Sequence, residues 1–185
     1  MKTSKADILS AITRREFIAA AASVTAIAIV PRHVLGGPAT PPPSEKLNIA
    51  CVGVGGKGFD DVRNVGAENI VALCDVDTKR AADAFEMFPK ARRYSDFREM
   101  LDKEEKNIDA VVVATPDHVH IPASVMAVKR GKHVYCEKSL GQNIHEIRLA
   151  TKVTRESGVA TQMGNGGHSG YNYRSVVALI KAGTA

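Results

Sequence analysis

From Leu47 onward, short apolar runs of strand length alternate with segments of helical periodicity. The runs predict strands at 47–52, 70–75, 92–94, 110–114, 133–136 and 159–163, with helices between them at about 58–67, 78–88, 96–103, 120–130 and 144–157. Ala110-Val111-Val112-Val113-Ala114 is almost entirely β-branched residue and alanine, as a strand covered on both faces requires. Asp77 or Thr78 and Ser95 are expected helix N-caps, and Gly131 and Gly158 are expected to stop the helices after Arg130 and Ser157. Strand and helix in alternation, joined by right-handed crossovers, predict an α/β fold with a doubly wound parallel sheet.

The chain before Leu47 has a different pattern. Thr13-Arg14-Arg15-Glu16-Phe17-Ile18 leads into an apolar stretch that, counted from Phe17, runs 14 residues before Pro31. That is shorter than the roughly 20 residues a membrane-crossing helix needs, and it has the length of a signal h-region. The segment resembles a twin-arginine export signal, which implies a periplasmic or otherwise extracytoplasmic protein, with membrane attachment only through an uncleaved leader. Pro38-Ala39-Thr40-Pro41-Pro42-Pro43 reads as an extended linker. The expected organisation is a leader at 1–37, a linker at 38–46, a nucleotide-binding domain at 47–165 and, at 166–185, the start of a connection to a further domain.

The formal net charge of +5 raises the question of nucleic acid, and the distribution answers it. Residues 1–46 hold six Lys/Arg against three Asp/Glu, whereas residues 47–185 hold 19 against 17, interspersed. No basic stripe runs along the folded part, so nucleic acid is not an expected partner. Cys51, Cys74 and Cys136 have no metal-site spacing and read as buried thiols, with a Cys51–Cys74 disulfide conceivable between neighbouring strands. His118, His120 and His168 form no helical ligand pair completed by an acid, and no metal is expected.

The first strand runs into Gly53-Val54-Gly55-Gly56-Lys57-Gly58, and Asp75 closes the second strand 20 residues after Gly55. This is a dinucleotide-binding fingerprint. Gly53 permits the tight turn, Gly55 lets backbone approach a pyrophosphate, and Gly58 lets helix and strand pack closely. The helix N-terminus then receives the phosphates. Asp75 is placed to accept from ribose hydroxyls, at about 1.5–3 kcal/mol per charged hydrogen bond. A carboxylate there repels a 2′-phosphate, which makes NAD the first choice, while Lys79 and Arg80 keep NADP open.

Ligands of such sheets bind beyond the carboxyl ends of the strands. After the fourth strand the chain places Thr115-Pro116-Asp117-His118-Val119-His120, after the fifth Glu137-Lys138-Ser139-Leu140, and after the sixth the polar loop from Gly164 through Asn165 to Gly170. Candidate cofactor-binding residues are therefore Gly53, Gly55, Gly56, Lys57, Gly58, Asp75, Thr115, Pro116, Asp117, His120, Glu137, Lys138 and Asn165.

On the glycine turn, Asp75, Thr115-Pro116-Asp117-x-x-His120 and Glu137-Lys138, residues 46–185 resemble the Gfo/Idh/MocA oxidoreductases. The resemblance implies a Rossmann-type domain. It also implies an NAD(P)-dependent enzyme acting on a sugar or polyol hydroxyl, with Lys138 as the catalytic residue that hydrogen-bonds the hydroxyl and relays its proton. The family's Glu-Lys-Pro motif, in which a cis proline bond aims the lysine, is Glu137-Lys138-Ser139 here. Members continue into a second α/β domain that closes over the nicotinamide, so this chain alone is expected to be inactive, and a homo-oligomer is compatible with the full-length form. Exported relatives with a similar loop at 162–169 include NAD-dependent glycoside hydrolases, which gives a second expectation, and a nucleotide-binding module without activity is a third.

Overall fold

A computed structural model describes Pro42 and residues 45–184. The expected leader and all of the linker except Pro42, Glu45 and Lys46 lie outside the described residues. From Glu45 onward the chain forms one unit. Its elements are β1 (Asn48–Val52), α1 (Lys57–Asn64), β2 (Asn69–Cys74), α2 (Ala82–Met87), β3 (Arg92–Tyr94), α3 (Phe97–Glu104), β4 (Ala110–Val113), α4 (Asp117–Lys129), β5 (His133–Glu137), α5 (Ile144–Ser157), β6 (Thr161–Gly164) and α6 (Tyr171–Lys181). Single 3-10 turns follow α3 at Glu105–Asn107 and β6 at Gly166–Ser169.

All six strands are parallel, in the order β3-β2-β1-β4-β5-β6. The chain winds outward from β1 in one direction and from β4 in the other, so their carboxyl ends form the switch point where such sheets open a crevice. Two apolar layers cover the sheet. Ala50, Val52, Ala72, Cys74, Val111, Val113 and Cys136 pack against Met100 and Leu101 of α3 and Ala123, Ala127 and Val128 of α4. On the other face Ile49, Cys51, Leu73 and Val112 meet Val62 of α1 and Ala84 and Phe85 of α2. Period-2 alternation along buried strands sends neighbouring residues to opposite layers. Each fully buried valine of β4 contributes up to about 1.5–3 kcal/mol.

Three helix starts differ from the sequence expectation. Asp77 accepts from the amides of Lys79 and Arg80 at 3.0 and 3.1 Å, which holds those residues in a turn and delays α2 to Ala82. Asp96, not Ser95, caps α3, accepting from the Arg98 amide at 2.8 Å. Pro116 stands at the N-cap of α4, so the helix begins at Asp117 instead of about 120. Gly131 and Gly158 do follow the helix ends in left-handed conformation, with φ of +72° and +70°. Helix α6 was not anticipated: its apolar residues Val176, Leu179 and Ile180 are more than half exposed, and none of its residues is buried.

The cysteines are free and buried. Residue pairing sets Cys51 opposite Leu73 and Val52 opposite Cys74, so the two thiols sit one step out of register and face different layers. A bond between them is excluded by direction, a correction to the sequence reading.

Candidate functional site

The glycine turn is built as its sequence demands. Gly53 has φ of +76°, and a Cβ there would lie 2.7 Å from the Ala114 carbonyl oxygen of the neighbouring strand end. A Cβ on Gly58 would collide with the Gly53 carbonyl oxygen, so only glycine permits α1 to start this close to β1. The helix begins at Lys57 with no side-chain cap on Gly56. The amides of Gly58 and Phe59 donate to the carbonyls of Gly55 and Gly56 at 3.2 and 3.1 Å, which leaves the N–H groups of Gly56 and Lys57 free at the positive end of the dipole.

Asp75 does more than the fingerprint anticipates. Its Oδ2 accepts from the amides of Val54 at 2.8 Å and Gly55 at 3.2 Å, and its Oδ1 from the amide of Asp77 at 2.9 Å. The carboxylate thus holds the glycine turn in shape. An ionised carboxylate offers about four acceptor directions, so one remains for a ribose hydroxyl.

Between β1, β2 and β4 lies a cleft of about 680 Å³. Of the sequence-predicted residues, Gly53, Gly55, Lys57, Asp75, Thr115 and Pro116 line it, joined by Arg80, expected there only as a partner for a 2′-phosphate, and by Phe97, which was not expected. The Thr115 hydroxyl oxygen is buried and without a hydrogen-bond partner. Buried polar atoms are normally paired, so the cleft retains an unused group of the kind a polar ligand satisfies. An uncapped helix start, a side-chain-free turn, an acid at the second strand end and an orphaned hydroxyl together fit a dinucleotide.

Asp117, His120, Glu137, Lys138 and Asn165 are not part of that wall. Asp117 is exposed in the first turn of α4. His120 is buried, and its Nδ1–H donates to the Ser139 carbonyl at 2.6 Å; Nε2 is left as a buried acceptor without a partner. His120 therefore braces the segment after β5 and does not face solvent. The Lys138–Ser139 peptide is cis. Lys138 and Asn165 are exposed, and the Lys138 amide donates to Glu137 Oε2 at 3.2 Å.

Glu137 belongs to a polar cluster that sequence reasoning missed, in which Glu137 and Asp61 are buried while the Lys57 side chain is 58% exposed. Its Oε1 accepts from the Tyr135 hydroxyl at 3.1 Å and lies 3.5 Å from Lys57 Nζ, which also pairs with the buried Asp61. Burial pushes the Asp61 carboxyl up, against the pull of the Lys57 hydrogen bond and charge. The hydrogen bond to Asp61 raises the Lys57 ammonium. The signals were present: Lys57 and Asp61 stand at i,i+4 on a helix, and Tyr135 and Glu137 at i,i+2 on one face of a strand. Among the described residues, no group of three or more His, Cys, Asp or Glu is arranged to hold a metal ion, and no helix is long and apolar enough to cross a membrane.

Comparison with known proteins agrees with this geometry. A glycosyl hydrolase family 109 protein of Stenotrophomonas maltophilia is 32% identical over 149 residues, 74% of this chain and 32% of its own length. An inositol 2-dehydrogenase of Salmonella typhimurium is 26% identical over 117 residues, 60% of this chain and 34% of its own. The crystal structure of myo-inositol 2-dehydrogenase from Lactobacillus plantarum superposes with a TM-score of 0.67 at 26% identity, over 75% of this chain and 42% of that one. The chain thus spans about a third of the length of the curated relatives it matches. Residues 47–165 match the family described as oxidoreductases with an NAD-binding Rossmann fold, and the chain belongs to that Gfo/Idh/MocA family.

Proposed function

We propose that this chain is the NAD-binding domain of an exported oxidoreductase that acts on a sugar or polyol hydroxyl by hydride transfer. The observation that carries the cofactor half is the cleft in which the uncapped start of α1, Asp75 and the unpaired Thr115 hydroxyl converge. Bound NAD supplies the hydride acceptor. The chain's own residues bind and orient: the glycine turn takes the pyrophosphate, Asp75 the adenosine ribose, and Lys138 holds the substrate hydroxyl and receives its proton as the carbinol hydrogen leaves. A lysine beside a cationic ring gives up a proton more readily than one in water, which suits it to this relay.

Inositol dehydrogenases among the relatives favour a polyol, and the twin arginines Arg14 and Arg15 favour export. Lys79 and Arg80 near the ribose end keep a 2′-phosphate within reach, so NADP remains the alternative cofactor. The glycosyl hydrolase relative, matched over more of this chain than the inositol dehydrogenase, supports a second reading. In it a ring hydroxyl is oxidised transiently at the same half-site, the aglycone is eliminated, water adds in its place and the hydride returns.

NADH titration of the purified chain tests the cofactor half, with micromolar saturable binding expected. Product analysis on a chain extended through a second domain tests the rest. Net oxidation of a polyol supports the dehydrogenase, and sugar release with unchanged cofactor supports the hydrolase. Fusing residues 1–37 to a folded reporter tests export, which a lysine pair at Arg14 and Arg15 should abolish.

A further inference from the structure

A lysine in the glycine turn of a dinucleotide site invites assignment to the pyrophosphate. The geometry here draws its ammonium elsewhere. Lys57 is the first residue of α1, and its Nζ pairs with Asp61, one turn further along the helix and away from the free N–H groups. The same nitrogen lies 3.5 Å from Oε1 of Glu137 at the end of β5. Both carboxylates are 7% exposed, and Asp61 Oδ2 is buried with no hydrogen-bond partner. Two carboxylates enclosed together repel each other unless a cation stands between them.

The surroundings are shaped around this group. The Tyr135 hydroxyl donates to Glu137 Oε1, and Oε2 of the same carboxylate accepts from the Lys138 amide. Gly164 of β6 leaves the necessary space: a Cβ there would lie 2.5 Å from Glu137 Oε1 and 2.7 Å from the Tyr135 hydroxyl. The cluster therefore joins α1, β5 and the edge of β6. In a sheet whose phosphates sit at β1, the ends of β4 and β5 lie on the opposite side from the adenosine strands β2 and β3.

We propose that Lys57 is a positioning residue for the nicotinamide side: by bridging Asp61 and Glu137 it ties the phosphate-binding helix to the segment carrying Lys138, instead of neutralising the pyrophosphate. The inference rests on the dinucleotide reading above. It separates two roles that one ligand cannot distinguish, because ADP carries the adenosine and two phosphates but no nicotinamide riboside.

NADH and ADP are titrated into the parent chain, Lys57→Met and the double variant Lys57→Met/Asp61→Asn, each at low and high salt. Lys57→Met should lose about tenfold in NADH affinity while ADP binding and its salt dependence stay within about twofold of the parent. The double variant lacks the same bridge, so its NADH affinity should match that of Lys57→Met within about threefold, with ADP binding again like the parent's. Parallel loss of ADP and NADH with a shallower salt dependence makes Lys57 a phosphate ligand and overturns the proposal, as does a Lys57→Met chain that binds both ligands like the parent. If Lys57→Met does not fold, the double variant carries the test: ADP binding kept with NADH weakened about tenfold supports the proposal, and loss of ADP binding or parent-like binding of both ligands overturns it. A parent that binds neither ligand overturns the dinucleotide reading itself, and this inference with it.

Discussion

On the β1–β3 side of the sheet edge the ligand-facing groups are mostly backbone, whereas on the β4–β6 side they are side chains. The glycine turn offers amides held in shape by Asp75, and the cleft there is already walled. Beyond β5, the exposed Lys138 rises from a base of buried groups: Glu137 on one flank and His120, through Ser139, on the other. Binding needs a fixed surface and backbone provides one. Proton transfer needs a side chain that is both mobile and aimed, so its foundation is locked while its tip stays free. The predicted division is that variants on the first side alter affinity and variants on the second alter turnover.

The largest effect that would break this division is at Lys138. In a chain extended to the length of the relatives, Lys138→Met should lower kcat by about 10²–10⁴, the usual contribution of a positioned acid–base group. NADH affinity of the same variant, measured by fluorescence titration, should stay within about threefold. A comparable loss in both quantities would place Lys138 in binding and erase the contrast.

Asp75→Ala comes next. It removes the proposed ribose acceptor and also frees the amides of Val54 and Gly55, so the turn itself loosens. At about 1.5–3 kcal/mol per charged hydrogen bond, NADH and ADP should both weaken by roughly ten- to a hundredfold. Equal loss for both ligands is the sharper half of the prediction, since the two share their adenosine end. Loss for NADH alone would move Asp75 to the wrong side.

Smaller and structural is His120→Phe. The phenyl ring keeps the bulk but cannot donate to the carbonyl of the exposed Ser139, and a lost hydrogen bond costs about 0.5–1.5 kcal/mol. Denaturant unfolding should show that loss, while ADP binding is unchanged and turnover of the extended chain falls as Lys138 loses its brace.

The pattern of these sites explains how far the sequence could be read. Strand order followed from apolar runs such as Ala110–Val113, because a strand buried on both faces writes its burial into every residue. The glycine turn was legible because Gly53 and Gly58 answer local steric demands. Helix starts were misjudged where one carboxylate intercepts the backbone, as Asp77 does before α2. Helix α6 went unseen because its Val176, Leu179 and Ile180 stripe is more than half exposed and precedes no further strand among the described residues that would have called for a crossover helix. The cluster of Lys57, Asp61, Tyr135 and Glu137 was hidden for another reason: helical and strand spacing each give a pair, but only the fold brings the pairs together.

That cluster also predicts where pH acts. Burial raises the Asp61 carboxyl in the folded chain, so its stabilising contribution is complete below the ordinary aspartate value of 3.8 and is lost as pH rises through the raised one. The stability of the parent relative to Asp61→Asn should therefore fall as pH rises just above that value, read from thermal unfolding of both chains. A parent that gains on the variant over the same acid range would mean that the Lys57 pairing outweighs burial.

The smallest expected effect is at the cysteines, which sit on both sides of the division. Cys51 lies one residue before the end of β1, Cys74 ends β2 and Cys136 lies one residue before Glu137. Burial pushes the thiols up, to about 12 for Cys51 and Cys74 and about 11 for Cys136, so almost no thiolate forms near neutrality. Thiolate is the reactive form, and proximity to the proposed catalytic Lys138 gives Cys136 no advantage without it. Native protein treated with a thiol reagent at pH 8 should stay unlabelled until it unfolds, and oxidation should leave Cys51 and Cys74 unlinked because they face opposite layers. Rapid labelling of Cys136 alone would show that the β5 end opens in solution, and the rigid foundation assigned to Lys138 would then be the part of the comparison to abandon.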